Sequence, residues 1–134
     1  MSLSYRRVVF TAIPLLMLFG CGEDPGPDPV PTPTPQPGEP VTIELSVQNQ
    51  RFDTDTLTAP AGSQVTIMFN NLDSDMHNFA LYESSAATAA IFVGDIIMGP
   101  DMVEYTFTAP ASPGEYYFRC DPHPFTMTGT FIVT

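Results

Sequence analysis

Near the C-terminus, the run "YYFRCDPHPFTMTGTFIV" places three metal-binding side chains within eight residues: Cys120, His123 and Met127. Thiolate and thioether are soft donors that suit Cu(I), and imidazole suits several first-row metals. The chain has one other histidine, His77, in "DSDMHNFALY". Singly, each has an ordinary reading: Cys120 as a small buried hydrophobe, His123 as a loop imidazole, Met127 as a core plug. A metal-binding reading requires that the fold bring all four together.

Strands are the elements that would do so. Val41, Ile43, Leu45 and Val47 alternate with Thr42, Glu44 and Ser46. Val65, Ile67 and Phe69 share one face of "QVTIMF", and Val103, Tyr105 and Phe107 one face of "VEYTFTA". In "EYYFRC" the inward set is Tyr116, Phe118 and Cys120, so the thiol continues a core face. A period of two marks half-buried strands, and turn signals at 59–63, 70–75, 98–101 and 109–115 separate them. Together with the final "GTFIVT", these runs predict an antiparallel β-sandwich. Glu83 to Phe92 is expected to form one or two helical turns at most.

Loops of a sandwich gather at its two ends, so the connection carrying His77 can meet the final loop at one pole. Two imidazoles, one thiolate and a weak axial thioether compose the donor set of a blue copper centre. Zinc accepts cysteine and histidine but takes a thioether poorly. A dinuclear copper centre would need a second cysteine in the loop, where position 124 is proline, and no "GxSxG" supports hydrolysis.

The N-terminus follows a different pattern. Arg6 and Arg7 precede an apolar run from Val8 to Phe19, then small residues to Cys21. This is the layout of an export signal over residues 1–20; the run falls short of the roughly 20 residues of a membrane span and contains Pro14. Leu18-Phe19-Gly20-Cys21 resembles the lipobox of bacterial lipoproteins, which implies that Cys21 is lipidated and becomes the first mature residue; ordinary cleavage near Gly20 is the alternative. Residues 21–40 then form a spacer with proline at nearly every second position, extended at about 3 Å per residue and reaching on the order of 50–60 Å. The folded domain is expected over 41–134.

Beyond Cys21, two arginines stand against fifteen acids, leaving the mature chain at −13 with no lysine. Such a surface repels nucleic acid and favours basic partners. With Cys21 lipidated, Cys120 has no disulfide partner in the chain, and an odd exported cysteine calls for a metal, a reactive role or an intermolecular bond.

With these residues laid out, "HN" at 77–78 followed far downstream by "YYFRCDPHPFTM" resembles the cupredoxin family, in its plastocyanin, pseudoazurin and amicyanin branch, over 41–134. The resemblance implies a Greek-key β-sandwich and one copper ion, alternating between Cu(I) and Cu(II), bound by His77, Cys120, His123 and Met127. It implies that Asn78 ties the two ligand loops together, and that the His123 edge with Pro124 and Phe125 is the electron port and partner patch. Three residues separate His123 from Met127, between the amicyanin-like and plastocyanin-like loop lengths. Asp73, Asp75 and Asp121 are expected either as an acidic rim for a basic partner or as solvated turn carboxylates.

The expected function is single-electron transfer by a monomer, without catalysis. The protein would be exported and lipid-anchored at the cell membrane, facing the periplasm or the cell exterior. Its partners would be redox proteins such as a cytochrome c or a respiratory or photosynthetic complex. The alternative is a copper-binding module for delivery or sequestration, in which Met76 widens the donor set. A weaker one is an interaction domain with a vestigial site.

Overall fold

A computed structural model describes residues 38–134. The expected export signal, Cys21 and the spacer up to residue 37 lie outside the described residues. Ten strands run in chain order: β1 (Val41–Val47), β2 (Thr56–Ala59), β3 (Gln64–Asn71), β4 (Met76–His77), β5 (Ala80–Tyr82), β6 (Ala90–Val93), β7 (Ile97–Met98), β8 (Asp101–Thr108), β9 (Gly114–Arg119) and β10 (Thr128–Val133). They form a three-stranded sheet ordered β1-β3-β8 and a five-stranded sheet ordered β2-β10-β9-β5-β6, with β4-β7 as a separate small ladder.

The alternation read from sequence is the alternation of burial. Leu45, Val47, Val65, Ile67 and Phe69 line the inner face of the first sheet, and Leu57, Leu81, Phe118 and Phe131 that of the second. Between them Phe107 stacks on Phe92 at 4.9 Å and on Phe79 at 5.9 Å, while Phe79 also meets Phe118 at 5.5 Å. Each buried phenylalanine contributes roughly 1.5–3 kcal/mol of transfer free energy, and Phe79, beside His77, brings part of that core up to the metal-binding pole.

Two details depart from the expectation. β1 pairs with β3, and β2 with β10, in parallel. The cause is connectivity: β2 belongs to the opposite sheet, so the chain crosses the sandwich between β1 and β3 and returns in the same direction, as a parallel pair requires. Residues 83–92 form no helix. Ala87 sits at φ 50°, and Ala90–Val93 instead pair with β5 across a bulge at Leu81/Tyr82. Packing of Phe92 against Phe79, Phe107 and Tyr105 overrides the helix propensity of the alanines, a weak preference beside aromatic burial.

Both ends of the described chain meet at one pole. Gly38 N–H donates to the Ala61 carbonyl at 3.2 Å, and Ala61 N–H to the Thr134 carbonyl at 2.9 Å. The loop from Cys120 to Met127 lies at the far end of β10, about 20 Å away at the rise of a six-residue strand.

Candidate metal centre

The register of β5 on β9 explains why residues 43 apart in sequence become neighbours. Ala80 lies opposite Arg119, so the residues preceding β5 run past the end of β9, directly onto Cys120. His77 arrives there on the short strand β4, buried, with Met76 opposite Met98 on β7. The Cys120–Met127 loop closes on itself: Cys120 N–H donates to the Met127 carbonyl at 2.9 Å, His123 N–H to the Cys120 carbonyl at 3.1 Å, and Met127 N–H to the His123 carbonyl at 3.1 Å. Pro122 and Pro124 bring no backbone N–H into this crowded turn, so they leave no donor unpaired.

The donor atoms converge. Cys120 Sγ lies 3.6 Å from His77 Nδ1 and 3.7 Å from His123 Nδ1, and ligand atoms of the three residues all fall within 4.8 Å of one another. Metal bonds of about 2.0 Å to nitrogen and 2.3 Å to thiolate, at trigonal angles, would separate such donors by roughly 3.7 Å. The observed spacing therefore fits three donors facing a common ion. Cys120 is fully buried and Met127 nearly so, at 1 % exposure, which supplies a dry site with a thioether on the loop that carries the thiol. Sequence reasoning named these four residues; the structure brings the thiol and both imidazoles together and buries Met127 against the same core.

Burial raises the Cys120 thiol above its ordinary value, while the N–H groups of Asn78 and His123 act in the other direction. Metal binding must displace that proton, so the site favours a cation with high thiolate affinity. Burial and the neighbouring His123 lower the pKa of His77, keeping its imidazole in the neutral form a ligand needs. Asn78 is buried; its Oδ1 accepts from Asp121 N–H at 2.8 Å and its Nδ2 donates to the Gly94 carbonyl at 3.0 Å.

Of the three acids expected at a rim, two are engaged internally. Asp121 accepts from Arg119 Nε and Tyr82 O–H, both at 2.8 Å, and Asp73 accepts from backbone N–H groups of Asn49 and Gln50. The first of those N–H bonds in importance, that of Gln50, holds the Asp73 carboxyl below its usual range. Asp75 is the most open, with its side chain 45 % exposed and Oδ2 3.5 Å from His123 Nε2. His77 Nε2 lies 3.2 Å from Asp73 Oδ2, within ion-pair distance but without hydrogen-bond alignment. Within the loop, Phe125 is 96 % exposed and Pro124 half-buried.

Sequence reasoning missed the Tyr82–Asp121–Arg119 cluster, in which the guanidinium also lies 4.7 Å over the Tyr82 ring. One signal was available, since Arg119 is one of two arginines beyond Cys21 and directly precedes the thiol. It also missed Asn71, whose buried amide donates to the carbonyls of Asp75 and Ile97 at 2.8 and 3.2 Å and fixes the turn leading into His77.

Comparison with known proteins gives concordant results. Residues 14–133 match the family described as cupredoxin-like domain. Auracyanin-A of Chloroflexus aurantiacus is 34% identical over 163 aligned positions, covering 99% of each chain. The solved structure of auracyanin A, described as a "blue" copper protein from that green thermophilic photosynthetic bacterium, superposes with a TM-score of 0.63 at 31% identity, over 72% of this chain and all of the other. The dithionite-reduced auracyanin of the photosynthetic bacterium Roseiflexus castenholzii gives 0.64 at 26% identity, over 72% and 99%.

Proposed function

The chain belongs to the cupredoxin family, and from that premise we propose that it is a membrane-tethered, mononuclear blue copper protein carrying single electrons between extracytoplasmic partners. The observation that carries this reading is the convergence of Cys120 Sγ with two Nδ1 atoms at 3.6 and 3.7 Å in a buried site. His77, Cys120, His123 and Met127 would hold one copper ion. Copper bound there supplies a one-electron couple between Cu(I) and Cu(II).

The chain's own residues supply the rest. Phe79 and the surrounding core exclude water, and the hydrogen bonds that close the Cys120–Met127 loop fix the donors before metal arrives. A donor set fixed by the fold changes little between oxidation states, which suits electron transfer. With four protein donors and no position left for a substrate, the site does not suit catalysis. His123 is the route outward, its side chain 20 % exposed, and Phe125 with Pro124 offers an apolar contact to a redox partner such as a cytochrome c or a respiratory or photosynthetic complex. Export through residues 1–20, lipidation at Cys21 and the spacer to Pro40 would place the domain 41–134 outside the cytoplasmic membrane, held to its surface.

Titration of the metal-free protein with Cu(II), followed by visible absorption and electron paramagnetic resonance, tests the reading. One tightly held copper per chain with an intense blue thiolate band is expected. A pale, weakly held copper would overturn it.

One observation favours copper delivery as a second reading: Met76, next to His77 in sequence, faces Met98 across the β4–β7 ladder, and both are about half exposed. Two soft thioethers at the surface could pass Cu(I) inward. Fast loss of copper to a chelator would favour delivery, and retention through repeated voltammetric cycles would favour electron transfer.

A further inference from the structure

The turn that follows β1 holds two successive non-glycine residues in left-handed backbone. Gln48 and Arg51 exchange backbone hydrogen bonds at 3.0 and 3.2 Å, and between them Asn49 and Gln50 both adopt φ 55°. Two successive left-handed residues make a type I′ turn, for which Asn-Gly is the favoured pair. Asparagine tolerates this conformation; glutamine in place of glycine costs on the order of 1 kcal/mol.

The turn's polar groups point at the metal centre. Asn49 N–H and Gln50 N–H donate to the two oxygens of Asp73 at 2.7 and 2.8 Å, and Asp73 Oδ2 stands 3.2 Å from His77 Nε2. Gln50 Nε2 reaches Asp75 Oδ2 at 3.4 Å, and that oxygen stands 3.5 Å from His123 Nε2. One two-residue turn thus holds a carboxylate behind each imidazole, while both Nδ1 atoms face Cys120 Sγ.

We propose that the Asn49–Gln50 turn is a positioning device acting on both histidines through Asp73 and Asp75. It keeps the imidazole proton on Nε2 and the lone pair on Nδ1, and sets two negative charges behind the metal-binding nitrogens. The inference rests on the reading of His77 and His123 as ligands. A ring nitrogen bearing a lone pair would repel a carboxylate oxygen 3.2 or 3.5 Å away, so the charge alone, without an aligned hydrogen bond, keeps the proton on Nε2. The same charges favour the more highly charged ion, so they stabilise Cu(II) over Cu(I) and lower the reduction potential. Asp73, 16 % exposed, is less screened by salt than Asp75 at 45 %. Gln50 serves the site at the cost of turn strain, because glycine would relieve the strain but has no amide to reach Asp75.

Three variants test this. Gln50→Gly is expected to raise the denaturant midpoint of the metal-free protein and also to make the copper potential more positive, with the blue band intact. Asp75→Asn should raise the potential by an amount that shrinks with added salt. Asp73→Asn should cost Cu(II) affinity about tenfold, a rise of about 59 mV for a one-electron couple if Cu(I) affinity is kept. In the metal-free wild type at alkaline pH, 15N NMR should find both rings as the Nε2–H tautomer. Potentials unchanged in Gln50→Gly and Asp75→Asn, or an Nδ1–H ring in the wild type, would overturn the device. Absence of a blue copper site with Nε2–H rings intact would overturn the proposed function instead and leave the positioning standing.

Discussion

Replacing Asn78 by alanine removes a side chain that bonds both to the ligand loop and to the loop after β6. Its Oδ1 accepts from Asp121 N–H at 2.8 Å and its Nδ2 donates to the Gly94 carbonyl at 3.0 Å, from a position 1 % exposed. Alanine leaves both partners without a bond. An unsatisfied buried group costs about 1–3 kcal/mol. Gly94 is buried, whereas Asp121 is partly exposed and water can recover some of its loss, so the sum should fall at about 2–4 kcal/mol. For a domain of this size that lowers Tm by roughly 8–32 °C. The chain has no tryptophan and five tyrosines, so urea unfolding of the metal-free protein by tyrosine fluorescence reads the change as a shifted midpoint with an unchanged slope. A loss below about 0.5 kcal/mol, the range of an ordinary surface substitution, would refute the argument that Asn78 joins the two loops energetically.

Other outcomes follow from single contacts. A Cβ at Gly129 would run into the Phe118 ring and the Asp55 carbonyl, so Gly129→Ala should cost about 1–3 kcal/mol, checked by thermal unfolding. Phe125, 96 % exposed, contributes nothing to the core; Phe125→Ser should leave Tm within about 2–4 °C, as a surface change does, while slowing electron self-exchange measured by NMR line broadening. With a net charge of −13 beyond Cys21, reduction by a small basic cytochrome c should slow steeply as salt rises; a rate indifferent to ionic strength would remove electrostatic steering.

The long strands were legible because one of their faces is buried: β1, β3, β8 and β9 show the period-two pattern in plain sequence. β5 could not be read that way, since Ala80, Leu81 and Tyr82 are all buried and give no alternation. Yet β5 sets the register that delivers His77 to Cys120. The parallel pairings were equally hidden, because alternation is the same whichever way a neighbour runs. At the site, donor identity was visible in residue type and the meeting of two loops in sandwich geometry. The roles of Asp73 and Asp75 were not, since they depend on left-handed backbone at Asn49 and Gln50, where "QNQR" carries no glycine to announce a turn.

The chain joins the sandwich at the pole shared by Gly38, Ala61 and Thr134, a strand's length from the Cys120–Met127 loop. Under the proposed anchor at Cys21, the copper end would be the end left free to meet a partner. A spacer with the reach expected from its prolines, on the order of 50–60 Å, would confine that end to a volume in which one molecule amounts to a concentration on the order of millimolar. A partner embedded in the same membrane and within reach of the carrier would meet it at this local concentration. Tight association becomes unnecessary and would slow turnover. The docking face can be as small as Phe125, Pro124 and the His123 edge, and release can be fast.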